Sequence, residues 1–146
     1  MTTQYTYYIG IDAGMKTGLC VWGTSEKQMM QIGSMPIHKA MHQVAYWNRF
    51  APGKIFVRLE DARLRKWIPK QKTEAAERGR REGAGYVKAH CAIWEEYLKD
   101  LGIPYELVPP KNNKTKVKAD YFSKITGYQE RTNEHERDAA MLVVGR

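Results

Sequence analysis

Short apolar runs, separated by glycine- and proline-containing turns, dominate the first third of the chain. Ile9 and Ile11 show the β-branched alternation of a buried strand, and the glycines Gly14 and Gly18 follow in a turn. The pattern predicts strands over residues 5–13, 18–23 and 27–34. Strands this close in sequence indicate an antiparallel start, the first two forming a hairpin through the glycine turn.

Helical spacing begins after Pro36, where Ile37, Met41 and Val44 recur at intervals of three and four and predict a first helix that ends before Pro52-Gly53. A second, long helix is predicted over residues 73–101. One apolar stripe of it contains Val87, Cys91, Trp94, Leu98 and Leu101; an adjacent one contains Tyr86, His90, Ile93 and Tyr97. We expect one stripe to cover the sheet and the other to be available for a dimer contact.

The remaining elements complete one α/β arrangement. The pattern predicts strands over 54–59 and 103–108, a loop over 63–72, and helices over 116–126 and 133–144. Glycines inside a helix cost roughly 1 kcal/mol each relative to alanine, so those at 79, 83 and 85 suggest that a packed element or a nucleic-acid backbone approaches there. The predicted order β-β-β-α-β-α-β-α-α indicates a single domain over residues 1–146.

Composition is that of a globular protein, with 42% hydrophobic and 27% charged residues in a chain of 146. The sequence has neither an apolar run near the length of a membrane span nor a signal-peptide pattern, so we expect a cytoplasmic protein. Cys20 and Cys91 lie in apolar segments without metal-binding spacing, and we expect both to be reduced, packed thiols.

Positive charge gives the first hint of a partner, because a net charge of +8 and a pI near 9.5 attract polyanions. The cations cluster in two segments, one after the fourth strand and one after Pro109-Pro110. The candidate DNA-binding residues are Arg63, Arg65, Lys66, Arg78, Arg80, Arg81, Lys111, Lys114, Lys116 and Lys118. Clusters of this kind beside carboxylates favour contact with a nucleic-acid backbone over a merely solvated face.

Acidic residues stand at the ends of three predicted elements. Asp12 lies at the end of the first strand, and Glu60 and Asp61 follow the fourth. In the last helix, His135 and Asp138 share one face at a spacing of three, and Glu134 and Asp138 could share one at a spacing of four. Clustered carboxylates resist ionisation unless a cation neutralises them, and Mg²⁺ and Mn²⁺ prefer oxygen ligands. The pattern leaves open whether Glu60 or Asp61 would be the ligand.

These segments resemble, in order and spacing, the RuvC family of Holliday-junction resolvases, which has the RNase H-like fold. The resemblance is carried by Ile9-Gly10-Ile11-Asp12-x-Gly-x-x-x-Gly, Glu60, Leu107-Val108-Pro109 before a lysine-rich segment, and His135-x-x-Asp138-Ala139-Ala140. It implies a mixed five-stranded sheet with strands 1–3 antiparallel and flanking helices. It also implies a compact, phage-type enzyme with Asp12, Glu60, His135 and Asp138 as catalytic metal ligands.

By the same resemblance, the protein would be a homodimer that resolves Holliday junctions or other branched DNA. Mg²⁺ or Mn²⁺, two ions per site, would activate water to cleave a phosphodiester and leave a 5′-phosphate. Many relatives have Asp where His135 stands. An aromatic wedge is expected after Glu60, where Arg63 stands instead and Trp67 is the nearest aromatic residue.

Three other functions compete with this hypothesis. A YqgF-type nuclease of the same fold would act on RNA, and a non-catalytic DNA-binding module would satisfy the charge alone. The Asp-x-Gly-x-x-x-Gly segment also resembles the phosphate loop of actin-like and sugar-kinase ATPases. Those proteins need two such domains, about twice this chain, which argues against that function.

Overall fold

A computed structural model describes residues 5–65, 71–111 and 116–146 of the chain. The strands are β1 (Tyr7–Asp12), β2 (Thr17–Gly23), β3 (Gln28–Met35), β4 (Ile55–Glu60) and β5 (Tyr105–Val108). The helices are α1 (Ile37–Phe50), α2 (Glu74–Leu101), α3 (Ala119–Thr126) and α4 (Glu134–Met141), and one 3-10 turn covers Ala62–Leu64. The element order and most boundaries agree with the prediction.

The described strands form one mixed sheet in the order β3-β2-β1-β4-β5. β2 pairs antiparallel with β1 and β3, whereas β4 pairs parallel with β1 and β5. The predicted mixed five-stranded sheet, antiparallel over its first three strands, is therefore confirmed. β1 lies at the centre, so its carboxyl end has a hydrogen-bonded neighbour on each side.

One face of this sheet is covered by α1 and α2 and holds the larger core. The strands contribute alternate residues, among them Ile9, Val57 and Leu59, which are fully buried. From α2, Trp94 and Leu98 pack against them. Thr73 caps this helix at its start through the amide of Ala76, and Gly102 ends it in a left-handed conformation.

The opposite face is covered by α3 and α4, and β1 and β2 carry glycines where α4 approaches them most closely. Gly10 of β1 lies directly under α4, where a Cβ atom would come within 2.1 Å of the Ala139 carbonyl oxygen. The buried cluster of this face includes Cys20, Phe122 and Ala139. Arg58 of β4 donates to the carbonyl oxygen of Leu142 at 2.6 Å, which satisfies a free carbonyl just beyond the end of the helix.

Two helices are shorter than predicted. Residues 116–118 are not helical, so α3 begins only at Ala119; Arg137 of α4 donates to the carbonyl oxygen of Val117 at 3.3 Å and helps to hold this segment extended. The last helix ends at Met141 and continues as turns, although the apolar run extends to Val144. Burial under the sheet, rather than helical periodicity, accounts for the apolar residues of that run.

The second stripe of α2 divides between core and surface. His90 is buried, whereas Tyr86 and Ile93 are nearly half exposed. The glycines of α2 have no protein atom within 4 Å of a built Cβ among the described residues, so no described element packs closely on them. Of the two predicted alternatives, close packing by another element is thus not found within the described ranges.

Cys20 and Cys91 are both buried and free, as predicted. Within the part of the chain that the structure describes, none of the helices has the length and apolarity that a membrane crossing requires.

Candidate active site

Strand register brings the first two predicted carboxylates together. Asp12 and Glu60 are paired residues at the carboxyl ends of the parallel strands β1 and β4. Residues directly opposite on neighbouring strands project from the same face of a sheet. Both side chains therefore lie on the α4 face, at the edge where β1 and β4 end.

The start of α4 reaches Asp12 because Gly18 makes room for it. Gly18 pairs with Asp12 across the hairpin, and a Cβ there would come within 2.0 Å of the His135 carbonyl oxygen. The close approach places Nδ1 of His135 3.1 Å from Oδ2 of Asp12. Gly18 is therefore needed for this close approach of α4, and its φ is not positive.

The turn after Asp12 is held by two side chains. The carbonyl oxygen of Gly14 accepts a hydrogen bond from Nδ1 of His90 at 2.9 Å and from the Thr17 hydroxyl at 3.1 Å. Both donors are buried. Since a buried carbonyl that is fully hydrogen-bonded resists movement, His90 and Thr17 fix the turn that carries Asp12.

Lys116 is the lysine that enters the acidic group. Its Nζ lies 3.0 Å from Oδ2 of Asp138 and 2.9 Å from Oε1 of Glu134. The Asp138 side chain is only 12% exposed, so the ion pair compensates a carboxylate that is largely removed from water. Glu134 is not among the predicted ligands, and its proximity to Lys116 depends on a contact between residues 18 positions apart that no local pattern reveals.

Glu60 and Asp61 differ in their surroundings. Asp61 is 1% exposed and its carboxylate accepts hydrogen bonds from the Arg63 amide at 2.9 Å and from the Arg63 side chain. Burial alone would raise the pKa of Asp61, but these hydrogen bonds outweigh it and lower the pKa. Asp61 therefore caps the 3-10 turn, while Glu60 faces Asp12.

The charged groups of the cleft change one another's pKa values. Burial, followed by repulsion from Asp12 and Asp138, raises the pKa of Glu60 to about 7. Burial also raises the pKa of Asp12, with the hydrogen bond to His135 opposing it. Burial would lower the pKa of Lys116, but its hydrogen bonds to Glu134 and Asp138 raise it overall. The group carries more negative charge than the protein itself neutralises.

A cleft of about 230 Å³ joins these side chains, and Asp12, Glu60, Glu134, His135 and Asp138 all line it. In chemical type this set, four carboxylates and an imidazole, suits Mg²⁺ or Mn²⁺. Among the described residues, no three potential ligands are placed closely enough to form a ready coordination group. By its chemistry and its unneutralised charge, the set fits a divalent cation. In the geometry described, a bound cation would have to bring these side chains closer together.

Some of the predicted DNA-binding cations form ion pairs within the protein, and others are exposed. Arg63 pairs with Asp61 and Glu95, and Arg80 and Arg81 pair with Glu77. Lys116 pairs with Glu134 and Asp138. The other described cations of the predicted set are exposed: Arg65, Arg78, Lys111 and Lys118. Lys66 and Lys114, and the aromatic candidate Trp67, lie outside the described residues.

Comparison with known proteins supports the fold. The structure of T. thermophilus RuvC in complex with a Holliday junction substrate matches with a TM-score of 0.60, covering 96% of this chain and 91% of that one at 18% identity. No family model matches the sequence, and no curated protein shows a significant sequence match to it. The likeness establishes the predicted RNase H-like architecture.

Proposed function

We propose that this chain is a metal-dependent endonuclease that cleaves branched DNA, with four-way junctions as its preferred substrate. The main support is the convergence of Asp12, Glu60 and Asp138 from three separate elements on one cleft, which also contains Lys116. The similar RuvC structure contains a Holliday junction. The net charge of +8 suits a polyanionic substrate.

In this proposal Asp12, Glu60, His135 and Asp138 hold one or two divalent cations. Such ions, when bound, activate water and stabilise the charge that develops in phosphodiester hydrolysis to a 5′-phosphate. His135 orients the Asp12 carboxylate through the Nδ1 contact at 3.1 Å. Lys116, already within 3.0 Å of Asp138, is placed to contact a phosphate oxygen beside the carboxylates.

A homodimer follows from the same proposal, because paired nicks across a junction require two sites. The exposed part of the second α2 stripe, Tyr86 and Ile93, is a suitable apolar contact between two copies. Light scattering should then give twice the mass of one 16.9 kDa chain. The mass of a single chain would contradict this part of the proposal.

The function is tested with labelled four-way junctions, flaps, linear duplexes and structured RNA in Mg²⁺ or Mn²⁺. We expect symmetric paired nicks in junctions and no cleavage in EDTA. Preferential cleavage of RNA would instead identify an RNA-processing nuclease of the same fold. Tight DNA binding without cleavage in either metal would identify a non-catalytic binding module.

Asp138→Asn tests the site directly. Because it removes one charge from the acidic group, we expect junction cleavage to fall by at least about 10³-fold. Junction binding should be retained or strengthened, since the substituted site repels phosphate less. Asp100→Asn, at an exposed position on α2, serves as the matched control and should cleave normally. Normal cleavage by Asp138→Asn would refute the site assignment.

A further inference from the structure

A second cavity lies beside the candidate active site, between the 3-10 turn and the first half of α2. It measures about 300 Å³, and its lining includes Arg65, Arg80 and Lys88. Among the described residues that line it, none is acidic. Its charge is therefore opposite to that of the carboxylate cleft, and it suits an anion rather than a metal ion.

The two cavities are neighbours with shared walls. Ala62, Arg65 and Val87 line both the acidic cleft and the cationic cavity. Arg65 also acts on the acidic group, since its charge is one of those that lower the pKa of Glu60 against the larger effects that raise it. A chain molecule bound at the carboxylates can therefore pass along Arg65 into the second cavity.

The floor of the cationic cavity is unusually open. Gly79 and Gly83, one helical turn apart, both line it, and apart from the adjacent residues and the nearby backbone of α2 itself no described protein atom lies within 4 Å of a Cβ built at either position. Two glycines in a helix interior lower its stability by roughly 1 kcal/mol each relative to alanine. The space they leave lets a bulky backbone come close to the cations.

We propose that the sugar–phosphate backbone of the bound DNA strand runs from the carboxylate cleft into this cavity, where Arg65 and Lys88 contact phosphates next to the cleaved one. Arg80 is oriented by its ion pair with Glu77 and forms the far wall. Lys88 was not among the cations predicted from the sequence. This inference rests on the proposed function for its ligand, although it concerns a separate surface.

Glycine substitutions test the open floor without changing charge. Gly79→Leu and Gly83→Leu should fill it, and Gly85→Leu, which lies on the same helix in equally open space but does not line the cavity, is the control. Leucine favours a helix more than glycine, so all three variants should melt at the same or a higher temperature. We expect only the first two to weaken binding of a fluorescent four-way junction in EDTA, by roughly tenfold.

Charge substitutions test the phosphate contacts. Lys88→Gln should weaken junction binding and reduce the slope of log affinity against log salt by about 1. Lys99→Gln, an exposed lysine further along α2, should leave both quantities unchanged. Two results would refute the proposal: equal effects of Lys88→Gln and Lys99→Gln on junction binding, or no effect of Lys88→Gln.

The outcomes separate this inference from the proposed function. If the wild-type protein binds junctions and the cavity variants weaken that binding, the DNA contact in the cavity is supported even without cleavage. If cleavage occurs and the cavity variants bind normally, the proposed function is supported and the DNA contact in the cavity is refuted. A change of mass in Gly83→Leu without a change of DNA affinity would show instead that a second copy of the chain occupies the cavity.

Discussion

The two faces of the sheet are built on different principles. The face under α1 and α2 is filled by large apolar residues, with Trp94 the largest fully buried side chain. The face under α4 has glycines at positions 10 and 18, where the helix backbone almost touches the strands. The first face provides most of the buried apolar area. On the second face, the close approach of α4 fixes the helix relative to the strands, and the candidate site lies where they meet.

Trp94→Ala should break the first face and produce the largest effect. Truncation of a fully buried tryptophan leaves a cavity and costs about 3–5 kcal/mol of unfolding free energy, measurable by urea denaturation. Trp94→Phe is the control. Among the described residues Nε1 of Trp94 has no hydrogen-bond acceptor, so loss of that N–H costs little. A similar loss in both variants would contradict this account of the face.

Gly18→Ala should break the second face with a smaller effect on stability than on activity. The added methyl group would meet the His135 carbonyl at 2.0 Å, so the start of α4 must move. Misplacement by about 1 Å costs roughly 10²-fold in rate, measurable in junction cleavage at saturating Mg²⁺. Gly33→Ala, where the Cβ would meet only the flexible end of Met35, should retain activity.

The smallest expected effect is a pH dependence of the unfolding free energy, which comes from Glu60 on the α4 face of the sheet. The pKa of Glu60 is raised from 4.5 to about 7 in the folded protein, so folding favours its protonated form. In EDTA, stability should therefore fall as pH rises from about 4.5 to about 7, by at most about 3 kcal/mol.

Glu60→Gln should remove most of this fall in thermal melts between pH 5 and 8. Glu96→Gln, at an exposed position of α2, should keep it. Added Mg²⁺ should restore stability at pH 8 in the wild-type protein, because a cation favours the ionised carboxylates. An unchanged pH profile in Glu60→Gln would show that the destabilising charge lies elsewhere.

Local patterns predicted the elements well because each depends on neighbours in sequence. Strand alternation, the Thr73 cap and the Gly102 stop lie within a few residues of the boundaries that they determine. The boundary errors at residues 116–118 and 142–144 arose where contacts distant in sequence override periodicity. The parallel pairing of β4 with β1 was likewise implied by the resemblance and not by alternation.

The candidate site was predictable in its acids but not in their partners. Asp12 and Glu60 end apolar strands, which sequence shows. The involvement of Lys116 rather than Lys111 or Lys118 depends on how the segment before α3 crosses α4. Arg63 pairs with its near neighbour Asp61, but its second ion pair, with Glu95 of α2, depends on a residue 32 positions away. Such pairings are decided by the folded arrangement alone.

The hydrogen bond between His90 and Gly14 makes a buried ring a natural spectroscopic reporter. Because a carbonyl oxygen only accepts, the ring must carry its proton on Nδ1. The ¹⁵N signals of His90 therefore record the state of the turn beside Asp12 without a label at the site itself. Any substrate that shifts this turn becomes detectable from inside the core, before a bond is cleaved.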